Sequence, residues 1–78
     1  MRNSRDQQIE NIKKLGEEWP SSVIARKRVG DFTGGMLSPR TMANLDSLGL
    51  GPDGIIKIGN SVGYLKNPYV EWLIRRVR

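Results

Sequence analysis

The chain has 78 residues, with 13 Lys and Arg against 8 Asp and Glu, giving a net charge of +5. It contains no cysteine and no histidine. Disulfides and thiolate metal sites are therefore excluded, and the commonest metal ligand and general base near neutral pH are both missing.

A chain this short makes one small domain, which buries only about 60% of the surface it exposes when unfolded. The basic excess suits a polyanionic partner, nucleic acid or an acidic membrane surface. No apolar run approaches the ~20 residues needed to cross a bilayer. The opening "MRNSRDQQ" lacks the apolar stretch of a signal peptide, so the cytoplasm is the expected location.

Residues 4–15, "SRDQQIENIKKL", start with the pattern of a capping box, Ser4 with Gln7. Ile9, Ile12 and Leu15 recur every three residues, the stripe of a short amphipathic helix, and Gly16 reads as its stop. Such a helix docks on the rest of the chain or on a second copy; a frayed arm is the alternative, because short isolated helices are marginal. Residues 1–20 are accordingly set apart from the rest, 21–78.

Pro20 breaks the pattern, and "VIARKRVGDFTGG" follows. Val29 and Phe32, with Ile24 and Ala25 about a turn earlier, give an apolar face, and Arg26, Lys27 and Arg28 occupy the remainder. This predicts a helix over about 26–33, with Ser22 and Ala25 competing for the cap and Gly34 ending it. Ser38-Pro39 then opens a second helix over 38–48, closed by Gly49. Met42, Leu45 and Leu48 form its apolar face, and Arg40, Thr41, Asn44 and Ser47 its polar one. The short glycine-bearing connection is that of a helix-turn-helix.

Pro52-Asp53-Gly54 signals a turn, and "IIKIGNSVGY" reads as a β-hairpin over 55–64. A three-residue loop of Gly59, Asn60 and Ser61 pairs Ile58 with Val62 and Ile56 with Tyr64, which puts all four large apolar residues on one face and Lys57 with Gly63 on the other. A two-residue loop would strand that pattern. Glycine stands first in this loop, whereas three-residue loops favour it last, so the turn type stays open. Finally "NPYVEWLIRRV" predicts a helix capped by Asn67, with Pro68 in the first turn, and an apolar face of Val70, Leu73, Ile74 and Val77 flanked by Tyr69 and Trp72.

The predicted fold class is mainly α with a small two-stranded antiparallel β-hairpin. The pieces "FTGG", "LSPRT", "ANLDSLG" and "GP", followed by a hairpin, a tyrosine and "VEWL", resemble the excisionase-like and AlpA-like small DNA-binding proteins. Those are winged helix-turn-helix domains related to the MerR-type module. The resemblance covers about residues 23–76.

It implies a DNA-binding protein of excisionase or transcriptional-regulator type; separately, no base-plus-nucleophile constellation is visible in the sequence, so neither catalysis nor a cofactor is expected. Double-stranded DNA would be its partner, together with an integrase or recombinase, or RNA polymerase, and with cooperative self-association on DNA. The helix at 38–48 would enter the major groove, with Arg40 suited to guanine and Asn44 to adenine. Ser38 and Thr41 would bond phosphates, Arg26, Lys27 and Arg28 would lie along the backbone, and Lys57 and Asn60 belong to the wing.

Wings of this group commonly carry basic tips, whereas the tip here is Asn60-Ser61. That departure points to fewer phosphate contacts from the hairpin, or to a hairpin that meets protein. A competing reading is therefore an adaptor of a recombination or transcription complex with little DNA sequence preference of its own. Asp46 reads as a structural partner, and Tyr64 and Trp72 as core rather than as stacking platforms.

Overall fold

The computed structural model describes residues 4–77; the first three residues of the N-terminal segment and Arg78 lie outside that range. The order is helix α1 (Ser4–Glu18), strand β1 (Val23–Ala25), a 3₁₀ turn (Arg26–Arg28), helix α2 (Val29–Phe32), helix α3 (Pro39–Ser47), strands β2 (Ile55–Ile58) and β3 (Ser61–Leu65), and helix α4 (Lys66–Arg75). The chain is mainly helical with a small antiparallel sheet, as expected, but the sheet has three strands in the order β1-β3-β2.

The additional strand corrects the reading of Ile24 and Ala25 as part of a helical face. Val23 and Ile24 are β-branched and follow a Pro-Ser-Ser break, which suits extended backbone. They pair antiparallel with β3, Ile24 opposite Tyr64. Only after Ala25 does the chain coil, first as the 3₁₀ turn and then as the single turn of α2. Strand pairing across 40 residues is a tertiary event that local periodicity does not carry.

The hairpin register also differs from the expected one. Ile58 opposes Ser61, Lys57 opposes Val62, Ile56 opposes Gly63 and Ile55 opposes Tyr64, which leaves a two-residue loop of Gly59 and Asn60. Gly59 has φ 58° and Asn60 no positive φ, the signature of a II′ turn with glycine in first place. The turn chemistry therefore overrides the apolar pairing pattern. Tyr64 and Ile24 face the core, with Val62 and Lys57 on the same side, while Ile56 and Ile58 turn to the other face. Ile58 is 74% exposed as a result.

Seven side chains make the core: Ile24, Val29, Phe32, Met42, Tyr64, Tyr69 and Trp72. Phe32 stands edge-on to Trp19 (5.2 Å between centroids) and to Tyr69 (5.7 Å), the arrangement favoured by ring quadrupoles. Buried aromatics need partners for their polar ends, and these have them: Trp72 Nε1 donates to the Leu50 carbonyl at 2.9 Å, and the Tyr69 hydroxyl lies 3.4 Å from Met42 Sδ. Tyr64 and Trp72 are thus core residues, as the sequence indicates.

Gly16 is not a helix stop. α1 runs past it to Glu18, and Gly16 is buried against α4. A Cβ there would stand 2.9 Å from Val70 Cγ2, so glycine allows the two helices to close up. α1 therefore docks on its own chain through Leu15 and Gly16, with Trp19 just beyond its end also packed on the core. Ser4 already sits within the first turn of α1. α4 begins at Lys66, ahead of the expected Asn67 cap, with Leu65 at the cap position and the Lys66 amide bonded to the Ser22 carbonyl at 2.8 Å. The long-range bond between loop and helix end takes the place of a side-chain cap.

Candidate nucleic-acid interface

α3 forms where the sequence predicts it. Ser38 adopts extended backbone and its hydroxyl accepts from the Thr41 amide at 3.1 Å, with Pro39 in the first turn. The preceding helix ends in a Schellman motif: Gly34 is left-handed (φ 65°) and the Gly35 amide donates back to the Gly30 carbonyl at 2.7 Å. α3 ends in the same way at Gly49, with Leu50 N bonded to Leu45 O at 2.9 Å. The Thr33 hydroxyl joins the two helices, donating to the Val29 carbonyl (2.7 Å) and accepting from the Leu37 amide (3.1 Å). The connection is hence fixed at both ends, which holds α3 at a set attitude to α2.

Met42 is buried and Leu45 packs on the core, but Leu48 is 69% exposed and does not belong to the apolar face as expected. Leu48 is the terminal cap residue of α3, and the chain turns away at Gly49 before it can reach the core. The opposite face, Arg40, Thr41, Asn44 and Ser47, is exposed. Ser38 and Thr41 hydroxyls bond each other at 2.9 Å, so both are partly occupied by the cap.

The basic stretch divides three ways. Lys27 is exposed and belongs to no ion pair among the described residues. Arg28 is also exposed and meets Asp31 at 2.6 Å, a solvent-facing pair of little energetic weight. Arg26 is different. Its Nη2 lies 2.6 Å from Asp46 Oδ2, and its Nε donates to the Tyr64 hydroxyl at 3.0 Å. The Tyr64 hydroxyl in turn donates to the same Asp46 oxygen at 2.5 Å. This closed triangle ties the 3₁₀ turn, α3 and β3 to one another.

The expectation that Asp46 is a structural partner is borne out, and its partners are the residues that the sequence could not supply. Asp46 Oδ1 is buried without a hydrogen-bond partner and abuts Gly51, where a side chain would collide with it. The Tyr64 hydroxyl raises the Arg26 pKa further above its ordinary value, and Asp46 adds to this, outweighing desolvation. The Tyr64 phenol is itself pushed up to about 12, first by burial and then by its bond to Asp46. Arg26 is permanently charged, with that charge largely balanced by Asp46.

The tertiary structure brings several of the sequence-predicted residues to one place. A notch of about 280 Å³ is lined by Arg26 and Lys27 of the 3₁₀ turn, Pro39 at the start of α3, and Asn60, Ser61 and Val62 of the hairpin. Lys57 stands opposite Val62, on the core-facing side of the sheet. Arg40, Thr41 and Asn44 are exposed on the same helix that Pro39 begins. In the sequence Ser61 stands out only as part of the hairpin tip, not as a contact; it opens β3 directly after the two-residue turn, which places it on the notch wall. A second, larger groove of about 600 Å³ lies between α1 and α4 and shares no residue with the notch. It is apolar, with Ile12, Leu15, Leu73 and Val77 among its walls.

No known protein family, curated protein or solved structure matches the chain.

Proposed function

We propose that the protein binds double-stranded DNA as a winged helix-turn-helix of excisionase or transcriptional-regulator type. α3 reads the major groove through Arg40 and Asn44, and the β2–β3 hairpin acts as the wing against the DNA backbone. The observation that carries this reading is the convergence at the notch of the 3₁₀ turn, the start of α3 and the hairpin tip, next to an exposed polar helix face. A duplex laid along α3 would meet base edges with the helix and a phosphate run with its flanks. Excision complexes and transcription complexes both use such a domain; an integrase, a recombinase or RNA polymerase is the corresponding protein partner.

Of the cations expected at the DNA, Lys27, Arg40 and Lys57 belong to no ion pair among the described residues and are left to neutralise phosphate. Three neutralisations give a slope of log K against log salt of about −2.7, and a fourfold rise in salt weakens binding about fortyfold. A backbone-amide NMR titration with a mixed-sequence duplex at two salt concentrations tests the reading. Shifts centred on 38–47, with a second set at 57–63, are expected. Shifts confined to the chain ends and lost with salt would overturn it and favour the adaptor.

A further inference from the structure

We propose that the notch seats one DNA phosphate, with Arg26 as a pre-aimed donor and with Asp46 and Tyr64 as the residues that position it. The inference rests on the DNA-binding reading and adds an acidic residue of the reading helix to the list of groups that binding requires.

Arg26 carries five N–H donors in a planar fork. The chain uses two of its nitrogens: Nε toward the Tyr64 hydroxyl and Nη2 toward Asp46. Nη1 has no partner among the described residues, and the side chain, 24% exposed, forms part of the notch wall. Two anchors fix the plane of the guanidinium, so the rotamer entropy that a long basic side chain normally loses on binding is lost already on folding. The same notch is lined by Lys27 of the 3₁₀ turn and by the polar residues Asn60 and Ser61 of the hairpin. That set, one fixed fork, one mobile cation and short donors at the hairpin tip, fits a phosphodiester oxygen pair. The uncharged hairpin tip thereby acquires a role: it closes the seat, while the charge is supplied by the 3₁₀ turn.

The position of Asp46 gives the arrangement a distinctive electrostatic signature. The Arg26–Asp46 pair is close to neutral as a unit, so a phosphate gains short, directed hydrogen bonds from Arg26 without adding a full counterion to the salt dependence. Affinity and salt slope are therefore decoupled for the Arg26–Asp46 pair taken as a unit, whereas at Lys27 they move together.

The test is fluorescence anisotropy with a mixed-sequence duplex over a salt series, using the full chain and four variants checked by circular dichroism. R26M is expected to weaken binding about tenfold and, because it leaves the Asp46 carboxylate uncompensated, to lose about 0.9 from the slope as well. K27A is expected to lose affinity and also about 0.9 from the slope. Y64F, which keeps the ion pair but removes both the Nε acceptor and the hydroxyl that donates to Asp46, is expected to lose about threefold with the slope unchanged. D46N unlocks the fork yet adds a net positive charge, so it is expected to steepen the slope by about 0.9 while binding more weakly at high salt. R26M within twofold of the parent overturns the seat. D46N binding more tightly at every salt overturns the positioning role, because Asp46 would then be restraining Arg26 rather than presenting it. If the parent itself binds no duplex, it is the DNA reading that has failed, and if it binds with R26M unaffected, only the seat has.

Discussion

Replacing Asp46 with alanine is the most informative perturbation of the fold, because one carboxylate holds three elements together. The mutation leaves the Tyr64 hydroxyl, in a side chain with no exposed surface, without its acceptor. An unsatisfied buried donor costs about 1–3 kcal/mol. It also leaves Arg26 without its counter-charge, a penalty reduced by the access of water to a side chain 24% exposed, so that about 1 kcal/mol more is reasonable rather than the full cost of breaking a wholly buried pair. The total is about 2–4 kcal/mol, a large fraction of the stability available to so short a domain. At this length each kcal/mol moves Tm by about 6 °C, so a fall of about 12–24 °C is expected. Thermal and urea unfolding followed by far-ultraviolet circular dichroism reads it directly. The double variant R26M/D46L removes both charges together and should recover the roughly 1 kcal/mol due to the uncompensated arginine, while the Tyr64 hydroxyl stays without an acceptor. A D46A melt within 3 °C of the parent, or a double variant less stable than D46A, would refute the argument that the triangle clamps α3 to the sheet.

Alkaline unfolding follows from Tyr64. Its folded pKa, about 12, lies above the ordinary value of 10, so the stabilisation is complete below pH 10 and is lost as pH rises from 10 toward 12; it amounts to about 2–3 kcal/mol. Y64F should flatten the pH dependence of stability in that window but not abolish it, because burial also raises the Tyr69 phenol; equal alkaline sensitivity in Y64F and the parent would count against it. G16A gains about 1 kcal/mol of helix propensity and loses about 1–3 kcal/mol through the 2.9 Å contact with Val70, so denaturant titration should show a net loss of up to about 2 kcal/mol. A net gain would mean that α1 does not close on α4 there. For DNA recognition, R40A and N44A should each weaken binding to a selected site by about 1–3 kcal/mol and relax preference at one base position. N44A should barely affect random duplex, whereas R40A should also lower the salt slope there by about 0.9; for N44A a uniform weakening on all sequences would move α3 out of the groove.

What the sequence determined by itself was whatever depends on neighbours along the chain. The Ser38-Pro39 start of α3 and the glycines that end α2 and α3 are local devices, satisfied within a turn of backbone, and each stands where it was expected. The exposed face of Arg40, Thr41, Asn44 and Ser47 follows from helical periodicity alone. Its burial counterpart was legible only as far as Leu45, because Leu48 falls where the chain leaves the helix. The hairpin was visible, but its register was not: four apolar residues argued for one pairing and a first-position glycine for another, and the backbone conformation at Gly59 prevailed.

The tertiary structure alone decided the rest. β1 exists because β3 offers it a partner edge; two β-branched residues after a Pro-Ser-Ser break suit extended backbone but are too few to announce a strand without that edge. Gly16 reads as a stop until Val70 is placed against it. Arg26, Asp46 and Tyr64 lie 20 and 18 residues apart in sequence along the two bonds to the carboxylate, and nothing in their local context distinguishes Arg26 from Lys27 or Arg28. The fold makes that distinction by burying one carboxylate beneath one arginine. Of three adjacent basic residues it turns one into a fixed donor, pairs one weakly in solvent and leaves one free.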